Sequence, residues 1–174
     1  VQGCVVERLG VMRYRAVASP AFVARWFAHG LDDTTLGAAP CNVFNAKDAL
    51  QARFLKLLSR KHLQPPQHRV PSTHGHIHAA LHGLGWGMDP DALVQGLIER
   101  GELVEIAPGR HLDVVLHWQH WRLDSALMRA LTGCVRRAAE AGGVVQFAGP
   151  GLGQCDDFPD RFGRHARMRC QDVR

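Results

Sequence analysis

Short strand-like runs alternate with amphipathic helical segments from residue 13 to residue 141 of this 174-residue chain. Such alternation is typical of α/β proteins, in which helices connect the strands of a mainly parallel sheet. The sequence therefore predicts an α/β fold with a mainly parallel sheet. From residue 142 to residue 174 no sustained period remains, so we expect a flexible tail there.

Apolar periodicity and cap residues set the boundaries of the predicted elements. Strands are predicted at residues 13–18, 41–44, 69–71, 84–88, 103–106 and 114–118. Helices are predicted at residues 20–29, 33–36, 46–61, 73–83, 90–100 and 123–141. Four of the strands, all but 69–71 and 103–106, should share one sheet. The helices at 46–61 and 90–100 should flank that sheet.

The composition is that of an ordinary globular chain, with 46% hydrophobic and 21% charged residues. It excludes a collagen, a mainly disordered chain and a disulfide-rich miniprotein. The five cysteines are far apart and form no CxxC pair, so we expect reduced thiols. Arginines interrupt the first 20 residues, and no apolar run approaches the ~20 residues that span a bilayer. We therefore expect a cytoplasmic protein with no signal peptide and no membrane partner.

The formal net charge of +5 favours an anionic partner, but the basic residues are scattered along the chain. Nonspecific nucleic-acid binding through the arginine-containing tail therefore stays open as an alternative function. The salt dependence of DNA retention would distinguish this alternative from the others.

Four histidines, His74, His76, His78 and His82, form the most conspicuous local cluster. On a helix, His74, His78 and His82 would share one face, which could bind zinc if water or a carboxylate completed the coordination. A metal-binding module or hydrolase is therefore a second alternative. The commoner explanation is a polar, solvated helix side, and we expect no metal and no cofactor.

Catalytic motifs are missing from the sequence, which contains no GxSxG and no phosphate-binding glycine spacing. The glycines between Gly83 and Gly87 indicate close packing of a strand. Asp89, Asp91 and Glu99 are interpreted as a helix first-turn charge and solvated faces. The sequence therefore predicts a protein that is not an enzyme.

Several strand-to-helix junctions end in small hydroxyl or amide residues, namely Ser19, Asn45 and the pair Ser72 and Thr73. In open α/β sheets, ligands bind at such junctions, where helix N-termini present free N–H groups. A carboxylate at Ser72 and Thr73 would receive hydroxyl and backbone hydrogen bonds. Each of these residues also has an ordinary use as a helix cap, which contributes about 1 kcal/mol.

Four sequence blocks in unbroken order carry a resemblance that covers about residues 3–141. The blocks are Arg13–Phe22 with Trp26, Phe27 and Gly30; Val43–Leu55; Pro71–His74 with Ala79–Pro90; and Leu112–Trp121. Together they resemble the effector-binding part of LysR-type transcriptional regulators, and more narrowly the arginine- and lysine-responsive ArgP/LysG subgroup.

The resemblance implies an α/β, type II periplasmic-binding-protein-like effector domain, in which two lobes enclose a small molecule. It implies that lobe II is nearly complete here and that lobe I is mostly missing. Residues 1–12 would be the inter-lobe crossover and residues 13–108 would be lobe II. Residues 109–141 would be the final lobe II strand and the C-terminal helix that returns to lobe I, followed by an unmatched tail at 142–174.

The resemblance also implies a function, which is the sensing of a basic amino acid such as lysine or arginine. Ser72 and Thr73 would hold the effector's carboxylate, with Asn45 and Asp48 nearby as polar lining. Asp48 has an ordinary explanation too, because a carboxylate in a first turn favours the helix dipole. The intact family forms homo-oligomers and binds DNA through a winged helix-turn-helix. We expect that part to lie outside this chain, so that the chain itself binds DNA only weakly.

The helix predicted at 123–141 would pack its apolar face on lobe I in the family. We therefore expect Leu127, Leu131 and Val135 to lack part of their cover in this chain.

Overall fold

The computed structural model describes residues 3–142 and the strand at residues 167–172. The strands of this part of the chain are β1 (Cys4–Ala18), β2 (Cys41–Val43), β3 (Gln67–Arg69), β4 (Gly87–Pro90), β5 (Val104–Glu105), β6 (His111–Trp121) and β7 (Arg167–Asp172). Its helices are α1 (Pro20–Trp26), α2 (Asp33–Ala38), α3 (Leu50–Leu58), α4 (Thr73–Leu81), α5 (Asp91–Glu99) and α6 (Ala126–Ala141). The α/β class is as predicted.

The strands form two sheets, and most of their pairings are antiparallel. The larger sheet has the order β4-β1-β6-β7, and β5 also pairs with β1. β1 runs antiparallel to β4 and to β5, and β6 runs antiparallel to β7. The predicted mainly parallel sheet is therefore wrong for the larger sheet. Strand–helix alternation does not fix strand direction, because direction depends on how each connection crosses the sheet.

The strand β2 lies outside the larger sheet, so the prediction that residues 41–44 share it is also wrong. β2 pairs in parallel with β3, where the Cys41 N–H donates to the Pro66 carbonyl at 2.8 Å. On its other edge, the Asn42 N–H donates to the Trp86 carbonyl at 2.7 Å. Trp86 forms an isolated bridge with Cys41 of β2. The next residue, Gly87, begins β4, which pairs with β1.

Chain contacts divide the molecule into two compact units. Unit 2 comprises residues 13–112, and unit 1 comprises the described residues before 13 and after 112. Unit 2 contains two apolar clusters. In one of them Phe54 packs against Trp86, with ring centroids 6.0 Å apart, and both side chains are fully buried. The second cluster lies around Val17, Val94 and Leu103.

In unit 1, helix α6 packs on the sheet through one edge of its surface. Ala139 joins Leu9, Leu116 and Trp118 in a small buried cluster, and Val135 packs against it. The indole N–H of Trp118 donates to the Thr132 hydroxyl at 3.2 Å. The expected partial cover is found at all three positions, because Leu127 and Leu131 are 79% and 42% exposed and Val135 is only partly buried.

Most of the predicted flexible tail lies outside the described residues. Gly142 ends α6, and β7 pairs with β6 where the sequence analysis places no strand. The polar–apolar alternation at Arg167–Cys170 is only four residues long, which is too short to indicate a strand by itself. In the described part of the chain, no helix is long and apolar enough to cross a membrane.

We predict that replacing Leu127 and Leu131 together by Gln reduces self-association of the protein without loss of helix. Exposed apolar patches favour association, and substitution at exposed positions changes stability by only about 0.5 kcal/mol. Light scattering gives the size, and circular dichroism gives the helix content. As a control, L116A removes a buried side chain of the same unit and should cost about 2–5 kcal/mol of stability. A monomeric wild type that unfolds on the double substitution contradicts this account of the α6 surface.

Candidate functional site

A cavity of about 260 Å³ opens within unit 2. It is lined by Tyr14, Phe44, Asp48, Leu50, Thr73, His76, Met88, Asp89 and Pro90. These residues come from β1, from the segment after β2, from the first residues of α3 and α4, and from β4. The lining combines apolar side chains with a few convergent polar groups, as in sites that bind small molecules.

The turn between β2 and α3 places Asp48 at the cavity. The two oxygens of Asp48 accept hydrogen bonds from the Phe44 N–H at 2.9 Å and the Leu50 N–H at 3.1 Å. Asn45 Oδ1 accepts from the Lys47 N–H at 2.7 Å. The prediction of a helix over residues 46–61 is therefore too long, because these side chains stabilise a turn and the helix begins only at Leu50.

The N-terminus of α4 brings Thr73 to the cavity. Ser72 is the N-cap, as predicted, and its hydroxyl accepts from the Gly75 N–H at 3.2 Å. Of the four predicted site residues, the structure thus places Thr73 and Asp48 together in the cavity lining. Ser72 and Asn45 are exposed residues that stabilise a helix cap and a turn, and they are not among the lining residues.

Two of the lining residues, His76 and Asp89, form a buried pair. His76 Nδ1 lies 2.9 Å from Asp89 Oδ1, and the two residues are 4% and 2% exposed. Burial by itself lowers the pKa of His76, but the hydrogen bond to Asp89, the charge of Asp89 and a hydrogen bond to the Asn42 backbone outweigh it. The pKa of His76 is therefore raised above its ordinary value of 6.5, which favours the protonated ring.

The second carboxylate oxygen of Asp89 is buried as well. Across the described residues, Asp89 Oδ2 has no hydrogen-bond partner. A buried acceptor without a partner costs about 1–3 kcal/mol, and more when it is charged. Asp89 lines the cavity, but this second oxygen is itself covered by protein and lies close to Gly87.

Gly87 makes room for this pair. A Cβ atom at Gly87 would lie 2.6 Å from His76 Cε1 and 2.9 Å from Asp89 Oδ2. The sequence analysis interpreted this glycine as a sign of close packing, and that is correct. The side chains that pack against it are the polar groups of the site.

Sequence reasoning missed both His76 and Asp89. The helix side that carries His76 was predicted to be solvated and Asp89 was predicted to be a surface charge, and the structure contradicts both. The available signal was the position of His76 beside Ile77 and four residues before Ala80, both of which are buried.

The other three histidines of the cluster, His74, His78 and His82, are exposed, and the rings of the last two stack at 6.3 Å. Within residues 3–142, no three His, Cys, Asp or Glu side chains gather in a way that could hold a metal ion.

The sequence of the chain matches a known protein family. Residues 2–140 match the family described as the LysR substrate binding domain. The chain belongs to this family. It is 43% identical over 146 residues to the HTH-type transcriptional regulator ArgP of Pseudomonas aeruginosa. The aligned residues cover 81% of this chain and 46% of that regulator. This LysR domain therefore spans about half the length of the curated relatives it matches.

Two solved structures are similar in fold as well as in sequence. ArgP from Mycobacterium tuberculosis matches with a TM-score of 0.79 and 40% identity, over 84% of this chain and 49% of that chain. Full-length LysG from Corynebacterium glutamicum with bound effector Arg matches with a TM-score of 0.71 and 34% identity. That match covers 80% of this chain and 47% of the LysG chain. These likenesses confirm the periplasmic-binding-protein-like fold and the ArgP/LysG resemblance that the sequence analysis stated.

The raised pKa of His76 predicts how stability depends on pH. Because the folded-state pKa lies above the unfolded value, the pair contributes its full stability below about pH 6.5, and the contribution falls as pH rises through the folded pKa. Thermal unfolding of wild type and H76Q should therefore differ most near pH 6, and the difference should shrink as pH rises through the folded-state pKa of His76. H78Q, which changes an exposed histidine on the same helix, should follow the wild type. A constant difference between H76Q and wild type across this range contradicts the assignment of charge to His76.

Proposed function

We propose that this LysR domain senses a basic amino acid, such as arginine or lysine, in the cavity of unit 2. The observation that carries this proposal is that the start of a helix and two carboxylates, Asp48 and Asp89, line the same small cavity. An amino acid with a cationic side chain carries a carboxylate that suits the start of the helix and a positive charge that suits the two carboxylates.

The α-carboxylate of such a ligand suits the N-terminus of α4. The N–H groups of Gly75 and His76 are bonded to Ser72, which leaves those of Thr73 and His74 for a ligand to meet. The positive end of the helix dipole and the Thr73 hydroxyl add to the attraction for an anion.

The opposite charge of the ligand suits the acidic part of the lining. Asp48 and Asp89 attract a cation, and the aromatic rings of Tyr14 and Phe44 can add cation–π attraction. The apolar side chains of Leu50 and Met88 would contact an aliphatic stem between the two charged ends.

The relatives support the same proposal. The LysG structure from Corynebacterium glutamicum holds Arg as its bound effector, and this chain is 34% identical to it. We propose that a basic amino acid also binds to this chain, in the cavity of unit 2. The relatives are transcriptional regulators, so we also propose a regulatory rather than enzymatic role.

The remaining parts of the proposal concern the whole regulator. We propose that it acts in the cytoplasm as a homo-oligomer. We also propose that it binds DNA through a helix-turn-helix domain, because its relatives are named HTH-type transcriptional regulators. The alternative of DNA binding through the arginine-containing tail concerns residues that lie largely outside the described part of the chain.

Calorimetric titration of the chain tests the proposal. L-arginine and L-lysine should bind, and L-glutamate should not, because its side chain would meet two carboxylates. T73V should weaken every bound amino acid roughly 3- to 10-fold, since it removes one hydrogen bond to the shared carboxylate end. H78Q changes an exposed residue of α4 outside the lining and should bind as the wild type does. Absence of binding to both basic amino acids, or equal binding of glutamate, contradicts the proposal.

A further inference from the structure

We propose that Phe44 is the specificity-determining residue of the cavity, and that its ring stacks on the end of the effector's side chain and favours arginine over lysine. This inference rests on the proposed function. It goes further, because the carboxylates of the lining attract both basic amino acids, whereas one aromatic ring would distinguish between them.

Phe44 is the apolar lining residue that is most open to solvent. It is 40% exposed. The other apolar residues of the lining are partly or fully buried, namely Tyr14, Leu50, Met88 and Pro90. Phe44 also belongs to none of the three apolar clusters of the described residues. A ligand can therefore contact Phe44 without any rearrangement of the core.

The turn between β2 and α3 fixes where Phe44 lies. Before Phe44, the carbonyl of Val43 accepts from the Val70 N–H at 2.9 Å, which ties the end of β2 to the residue after β3. The N–H of Phe44 itself donates to Asp48 Oδ2 at 2.9 Å. An aromatic residue and an acidic residue of the lining are therefore held next to each other in one short turn.

Asp48 is the lining carboxylate that a ligand can approach. It is only partly buried, whereas Asp89 is 2% exposed and is bonded to His76. Each oxygen of Asp48 accepts one backbone N–H, from Phe44 or from Leu50, and a carboxylate offers about four lone-pair sites in all. A cationic group that binds Asp48 would therefore lie close to Phe44 in the same turn.

The two basic side chains differ in how they meet an aromatic ring. A guanidinium group is planar and weakly hydrated, so it can stack on a ring face while its N–H groups still reach a carboxylate. An ammonium group is compact and strongly hydrated, and it would lose more of its hydration on contact with the ring. The pairing of Phe44 with Asp48 therefore suits a guanidinium group better than an ammonium group.

Calorimetric titration with L-arginine and L-lysine tests the assignment. The wild type should bind arginine more tightly than lysine. F44L keeps an apolar side chain but removes the ring, so its affinity for arginine should fall about 3- to 10-fold. Its affinity for lysine should change less than about 2-fold, because the hydrated ammonium group gains less from the ring.

Two further variants separate ring stacking from other effects of substitution. F44Y retains an aromatic ring and should keep the wild-type preference for arginine. L57A shortens an apolar side chain of unit 2 that is 50% exposed and lies outside the lining, and it should leave both affinities unchanged. Circular dichroism checks the fold of each variant, which should persist because substitution at exposed positions changes stability little.

A second measurement reports directly whether the ligand meets the ring. F44W replaces the phenyl ring with an indole, whose fluorescence emission depends on its surroundings. Titration with arginine should therefore change the emission of F44W more than that of the wild type, which already contains four tryptophans. Equal changes in the two proteins would show that the ligand does not reach residue 44, and they would overturn the assignment whatever F44L shows.

The outcomes separate the two proposals. If the wild type binds neither arginine nor lysine, the proposed function itself fails. If the wild type binds both equally well, or if F44L keeps the wild-type ratio of the two affinities, the assignment to Phe44 is overturned while the proposed function stands.

Discussion

The ion pair between His76 and Asp89 is the interaction on which the rest of this site depends. Two ionisable side chains are removed from water almost completely, which is tolerated only when they bind each other. The pair links α4 to β4, and it requires the space that Gly87 provides. It also fixes the position of Asp89, which lines the cavity together with His76.

Local signals in the sequence were sufficient for much of the fold. Ser19 followed by Pro20 predicted the start of α1, and Ser72 predicted the start of α4, and both hydroxyls accept the expected backbone N–H groups. A cap and the helix that it begins are neighbours in sequence, so their interaction needs no knowledge of the tertiary structure. The position of Thr73 at the cavity follows from the same reasoning.

Interactions between distant segments could not be predicted in this way. His76 and Asp89 are 13 residues apart, so their contact cannot be read from either local segment. The edge of β2 meets an isolated bridge from Cys41 to Trp86, and β4, which begins at the next residue, pairs with β1 instead. Both pairings join segments that are far apart in sequence. Burial of a polar residue is decided by packing, which the helical pattern of α4 indicates only weakly, through Ile77 and Ala80.

A crystal structure of the chain with L-arginine tests the central claim most directly. The account predicts that the arginine occupies the cavity of unit 2, with its carboxylate at Thr73 and its guanidinium group on the side lined by Asp48 and Asp89. His76 should remain bonded to Oδ1 of Asp89. An arginine that binds elsewhere, or one whose carboxylate lies beside Asp48 and Asp89, would contradict the account.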